Sequence, residues 1–205
     1  MILVGQYDSP FVRRVAISLR VLGFAYEHDT RSVFGDFDAM RSVNPLGRIP
    51  SLVLDSGEAL VDSFAILDWL DREVGPERAL LPASGAARTR AMQIVALAAG
   101  AIEKFGAVNY EHLIRPAAYR WPEWIARCET QAKGALAALE RAEFGTRLDQ
   151  AQISTACAVG YVKLSAPALF DAAAHPRLEA LSARCEERPE FIATRVAGYA
   201  VPRAD

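Results

Sequence analysis

Three cysteines, three histidines and a formal charge of −2 over 205 residues remove several kinds of protein from consideration. Cys128, Cys157 and Cys185 are odd in number and widely spaced, which is neither a disulfide framework nor a metal-ligand pattern. Buried, inert thiols in a reducing compartment are expected instead. With 23 basic against 25 acidic residues there is no overall field to draw nucleic acid or an anionic membrane. Arg13, Arg14 and Arg20 are nevertheless close enough in sequence to form a local basic patch. No signal-like pattern opens the chain, and no apolar run approaches the ~20 residues of a bilayer span. The expectation is a soluble, cytoplasmic protein with no nucleic-acid or membrane partner, long enough to bury a core in one domain or two small ones.

What is present centres on residues 44–63, NPLGRIPSLVLDSGEALVDS. Two apolar runs, Ser51 to Leu54 and Ala59 to Val61, flank an Asp55-Ser56-Gly57 turn and read as a hairpin. Pro50 has no N–H for a sheet, so it belongs at a strand entry or in a cis turn. Asp62 and Ser63 are helix-capping residues, and a helix N-terminus is a ready site for a carboxylate. These features suggest a concave edge that holds an extended, peptide-like, anionic ligand.

The flanking sequence fits around this stretch. Met1 to Gly5 has strand length, and Ser9-Pro10 followed by Val12, Val15, Ala16, Leu19 and Leu22 is a capped helix ending at Gly23. Phe24 to Asp29 is a second strand candidate, and Arg31 to Ser42 a polar connector with one helical stretch. Ile66, Leu67, Leu70 and Val74 mark a helix stopped by Gly75-Pro76. This gives a compact α/β unit over residues 1–76 and a linker at 77–86. Residues 87–205 read as all-helical: Arg88 to Ile102, an aromatic and basic stretch from Tyr110 to Trp121 broken at Pro116, and a helix after Pro122. A buried helix at Ile153 to Leu164 follows the Asp149/Gln152 capping-box spacing, and another opens at Pro176. Tyr161 reads as a core aromatic.

In order and at these separations, SPFVRRV, NPLGRIP, VDSFAILDWL, AQISTACAVGYVKL and HPRLEALSARCEERPEF resemble the cytosolic glutathione S-transferase superfamily over essentially the whole chain. The resemblance implies an α/β thioredoxin-like N-terminal domain plus an all-α C-terminal helical domain. It also implies reduced glutathione as cosubstrate, no metal, and a homodimer. A glutathione transferase acting in detoxification on a small hydrophobic electrophile is the function it points to.

That chemistry needs the thiolate, because the thiol is a poor nucleophile. Lowering a free thiol pKa of ~8.5 by about two units is worth roughly 2.7 kcal/mol, within reach of one hydrogen bond and a helix dipole. By resemblance Ser9 is the catalytic residue, donating its hydroxyl to the sulfur at the positive end of the helix that Pro10 begins; as a plain N-cap it would only accept a backbone N–H. Tyr7 is a competing donor whose place before the SPF turn favours a role in the wall. A cis Ile49-Pro50 bond would turn the Ile49 backbone toward the cysteinyl unit; a trans, strand-entry proline would not. Ser63 and Asp62 would hold the γ-glutamyl end, with Asp62 one methylene shorter than the Glu common in the family. Arg48, where many members have Lys, suits the glycyl carboxylate or is simply a solvated cation. Val33 or Phe34 would line the same side. Phe11, Tyr110 and Arg115 are expected at the electrophile pocket between the domains, whereas His112 has no partner to orient it as a base.

Two other readings remain at this point. A non-catalytic module of the stringent-starvation type would bind a protein partner, and a glutathione-dependent dehalogenase or isomerase would use the same thiolate. Thiol-disulfide chemistry is disfavoured, because position 9 is Ser and the first domain contains no Cys.

Overall fold

The computed structural model describes residues 1–196, 198 and 201. In chain order they form β1 (Ile2–Val4), α1 (Pro10–Leu22), β2 (Glu27–Asp29), α2 (Phe37–Val43), β3 (Ser51–Val53), β4 (Ala59–Val61) and α3 (Ser63–Val74). Then come α4 (Gly85–Leu113), α5 (Pro122–Glu140), α6 (Gln150–Ser165), α7 (Pro176–Glu186) and α8 (Pro189–Ile192), with 3-10 turns at Ala117–Tyr119 and Pro167–Leu169. The sheet order is β2-β1-β3-β4, with β1 parallel to β2 and the β1–β3 and β3–β4 pairs antiparallel. A thioredoxin-like α/β unit thus precedes a helical one.

Three-residue strands cannot hold a sheet by themselves, so packing on helices has to stabilise them. Helix α1 does most of this. Ser9 caps its start, Pro10 opens it, and Gly23 ends it in the left-handed region at φ 81°. Ten of its thirteen residues are buried, which makes it a central rather than a surface helix. Val15, Ile17 and Leu19 share one core with Leu3 and Leu52 of the sheet, Ile66 and Leu70 of α3, and Ile153, Leu181 and Phe191 of the helical half. The basic patch considered at Arg13 and Arg14 does not exist: both side chains turn inward, at 6% and 0% exposure. Neighbouring helix positions point about 100° apart, and α1 is walled on too many sides for either to reach water.

The helical half has its own core, built from Phe105 of α4, Leu136 and Leu139 of α5, Val159 and Val162 of α6, and Leu178 of α7. Helix α4 is longer than its sequence stripe suggests and runs unbroken to Leu113, so Tyr110 and His112 lie on it rather than on a separate segment. Its 29 residues are, by length and composition alone, long and apolar enough to cross a bilayer, a test that a buried core helix also passes. In the fold α4 packs on α5 and α6. Helix α6 is buried nearly all round, as its composition predicts. Only half of the expected capping box forms there. Asp149 Oδ1 accepts from the Gln152 amide at 2.9 Å. The Gln152 side chain donates instead to the carbonyls of Gly145 and Arg147, at 2.7 and 2.8 Å.

Candidate active site

Three loops converge at the edge of the sheet: the turn into α1, the turn before β3, and the turn into α3. Gly5 lets the first two meet. At φ 125°, a Cβ there would lie 2.7 Å from both Ile49 Cβ and Val12 Cγ2. A side chain at position 5 would push the Ile49 turn away from α1.

In the first loop the Ser9 hydroxyl accepts from the Val12 amide at 3.4 Å, a long capping bond. Capping uses only a lone pair, so the hydroxyl hydrogen is left to donate elsewhere. Tyr7 is placed differently from expectation. Its ring stacks on His28 at 3.9 Å, and its hydroxyl pairs with that of Tyr26 at 2.9 Å. Burial and that hydrogen bond push the phenol well above its ordinary value, so it stays neutral. Tyr7 does not face the large cavity beside Ser9; it borders a separate pocket behind α1.

The second loop is pinned by Asn44, which is 1% exposed. Its side-chain amide donates to the Arg48 carbonyl at 2.6 Å and the Ser51 hydroxyl at 2.8 Å, and its carbonyl accepts from the Leu46 amide at 2.8 Å. The Ile49-Pro50 bond that follows is cis. Neither the amide nor the carbonyl of Ile49 has a backbone partner among the described residues. That leaves one donor and one acceptor beside the cavity.

In the third loop Asp62 has a positive φ of 72° and caps α3, its Oδ1 accepting from the Phe64 amide at 2.8 Å. A non-glycine residue in this region costs about 1–3 kcal/mol and persists only where the surroundings hold it. Ser63 is 2% exposed, and its hydroxyl oxygen accepts from Arg14 Nη2 at 2.6 Å.

Between the α/β unit and α4 lies a cavity of about 570 Å³. Ser9, Phe11, Val33, Phe34, Arg48 and Ile49 line it from one side, and Ile102, Glu103, Tyr110 and Tyr161 from the other. A smaller cavity next to it is bordered by Pro50, Asp62, Ser63 and Phe64, and shares Phe11, Arg48, Ile49 and Glu103 with the first. The two cavities adjoin and together form a groove, with Ser9 bordering the first, the Asp62-Ser63 cap the second, and Ile49 both. Tyr110 is half-exposed and meets Phe34 edge-on at 5.9 Å; burial raises its hydroxyl pKa.

The structure does not bring Arg115 to the cavity. Its guanidinium pairs with Glu111 at 2.8 Å, one helical turn back. His112 is not part of the lining either, and Tyr119 and Trp121 are surface side chains at 74% and 62% exposure. Sequence reasoning missed Glu103, Tyr161, Asn44 and Arg14. Tyr161 is a core aromatic, as expected, but it also forms part of the cavity wall, with its hydroxyl accepting from Asn109 Nδ2 at 3.2 Å. The three cysteines are buried and unpaired, and none lines the large cavity. Burial pushes the Cys157 thiol up to about 12 and the Cys185 thiol to about 11. Among the described residues no group of three His, Cys, Asp or Glu side chains could hold a metal ion.

A serine-capped helix beside a cis-proline turn on a thioredoxin-like sheet, with a helical bundle as the far wall, defines the glutathione-transferase type of fold. Comparison with known proteins agrees. The glutathione S-transferase N-terminal domain matches residues 3–78 and the glutathione S-transferase C-terminal domain matches residues 122–184. The uncharacterized GST-like protein YibF of Escherichia coli K12 is 32% identical over 200 residues, covering 95% of this chain and 98% of that protein. A glutathione transferase family member from Pseudomonas fluorescens Pf-5, solved with bound glutathione, superimposes with a TM-score of 0.86 at 37% identity, covering 95% of this chain and 98% of its own. A glutathione S-transferase from Methylobacterium radiotolerans, in complex with glutathione sulfonate, gives a TM-score of 0.90 at 29% identity, covering 100% and 97%. The chain belongs to the glutathione S-transferase family.

Proposed function

We propose that this protein is a cytoplasmic glutathione transferase, a homodimer in solution, that activates bound glutathione as a thiolate for attack on a small apolar electrophile. The observation that carries this reading is the groove itself. A hydroxyl with a free hydrogen, a backbone donor and acceptor at a cis-proline turn, and a capped helix N-terminus lie along it in that order. Those groups fit a tripeptide thiol from sulfur to γ-glutamyl end, so the residues present suit the cosubstrate that the family uses.

Ser9 donates to the sulfur, and the N-terminus of α1 adds a positive potential at the same point. Ile49 pairs with the cysteinyl backbone. Ser63 takes the γ-glutamyl carboxylate, and Asp62, with Oδ1 already committed to its cap, has Oδ2 for the ammonium. Arg48 at the rim suits the glycyl carboxylate. Phe11, Phe34 and Tyr110 give the rest of the cavity its apolar and aromatic walls, where an electrophile packs beside the thiolate. No cysteine is at hand to form a mixed disulfide, which argues against thiol-disulfide exchange.

The test is the state of the bound thiol in wild type and Ser9→Ala, followed by the ultraviolet absorbance of the thiolate against pH. Ser9→Ala should raise the bound-thiol pKa by about one to two units and slow conjugation of a chloronitrobenzene about 10–100-fold, the worth of one hydrogen bond to a charged acceptor. Glutathione affinity should change less than about threefold, since the tripeptide's ends are held elsewhere. An unchanged pKa and rate would remove Ser9 from the mechanism. Failure of the wild type to be retained on immobilised glutathione would favour the non-catalytic module.

A further inference from the structure

Arg14 lies one turn into α1, and its side chain has no exposure at all. Two aromatic faces cover it, with Cζ 5.2 Å from the Phe11 centroid and 4.4 Å from that of Phe64. Its Nη2 donates to Ser63 Oγ at 2.6 Å and its Nη1 to Ser154 Oγ at 3.5 Å, while Nε has no partner among the described residues. Burial pulls the guanidinium down to about 10, so it remains charged near neutral pH; the carboxylates of Asp62 and Glu103 act on it only from a distance. Among the described residues no carboxylate lies within ion-pair distance of it. Buried charges normally have a counter-ion, because desolvating one alone is costly.

A guanidinium can only donate. Ser63 Oγ is therefore an acceptor toward Arg14, and its own hydrogen must point elsewhere. Ser63 borders the small cavity at the end of the groove. We propose that Arg14 is a positioning residue for the ligand's carboxylate: it fixes Ser63 as acceptor on the inner side, so that the hydroxyl hydrogen is offered to the carboxylate, whose charge then compensates the buried guanidinium through that hydroxyl. This rests on the glutathione reading and extends it, since it assigns recognition of the γ-glutamyl carboxylate to a residue that never touches the ligand.

The experiment compares glutathione with 4-aminobutyryl-Cys-Gly, the same tripeptide lacking the γ-glutamyl carboxylate, by calorimetry on wild type, Arg14→Met, Arg14→Gln and Arg14→Lys. Wild type should favour glutathione about 10–100-fold, the range for a charge-assisted hydrogen bond. In Arg14→Met and Arg14→Gln that preference should fall below about threefold while the analogue's own affinity changes little. Arg14→Lys, which keeps the charge, should retain most of it. If Arg14→Met does not fold, Arg14→Gln decides, and a retained preference there overturns the proposal. Equal weakening of both ligands would also overturn it, because a purely structural role acts on both alike. A wild type that binds both peptides equally overturns this inference and leaves the glutathione reading standing; one that binds neither overturns both.

Discussion

Arg13 and Glu186 meet as a two-pronged pair, Nη1 to Oε1 and Nη2 to Oε2 at 2.7 Å each, across the boundary between the α/β unit and the last helices. The same guanidinium donates to the carbonyls of Thr194 at 3.1 Å and Phe191 at 3.3 Å, so it ties α1 to both α7 and the turn after α8. The fork geometry of arginine permits this, whereas the single ammonium of lysine does not.

Arg13→Met should therefore lower the unfolding free energy by about 2–3 kcal/mol, less than for a fully enclosed pair because the Glu186 side chain is 29% exposed and water can take over part of its solvation. Arg13→Lys should recover less than half of that loss. Urea denaturation of the two variants and wild type measures both. A cost below about 0.5 kcal/mol for Arg13→Met, the level of an ordinary surface change, would mean the clamp contributes nothing.

Asn44 offers a test of how the cis-proline turn is held. Asn44→Ala removes three hydrogen bonds and leaves the Arg48 carbonyl and Leu46 amide without their partner. The expected loss is about 2–3 kcal/mol. Because the freed turn carries Ile49, glutathione affinity should drop about tenfold as well, the effect of a modest misplacement of binding groups. Calorimetric titration and denaturation on one preparation would show both changes. Lost stability with unchanged affinity would separate the turn's rigidity from binding.

The pH dependence of stability should carry a contribution from Asp71. Burial raises its pKa, and the Leu80 and Leu81 amides, donating at 2.7 and 3.1 Å, offset this only in part. The folded value lies above the unfolded one, so between the two the folded state binds more protons. Stability from this group thus increases as pH falls through the folded pKa toward the unfolded one, and it is lost as pH rises. Asp71→Asn should remove that slope, so that wild type gains denaturation free energy relative to the variant as pH falls through this window. Parallel curves would show that Asp71 titrates alike in both states.

Much of the site could be read locally. Ser9-Pro10 and Gly23 delimit α1 because capping depends on residues within one turn of the helix end. The hairpin around Asp55-Ser56-Gly57, the cap at Asp62 and the position of Pro50 are equally short-range, and β3, β4 and α3 form where those signals stand. Helix α4 is less legible: alanine along much of its length blurs the apolar stripe, so the period fades near Ile102 although the helix continues to Leu113. Gln152 has the right spacing for a reciprocal cap, but two carbonyls of the preceding loop compete for its amide and win.

Arg13 and Arg14 mark the boundary of what sequence can say. By residue type both belong at the surface, and nothing within a turn of either argues otherwise. What draws them inward is Glu186, 173 residues from Arg13, and Ser63, 49 residues from Arg14. The amino-acid order alone determined the elements, their caps, the proline turn and hence the family, since each depends on neighbours a few bonds away. Which charges are buried and which tyrosine lines the cavity were decided only when distant segments closed around one helix. Desolvation then left every polar group on it to find a partner or remain without one.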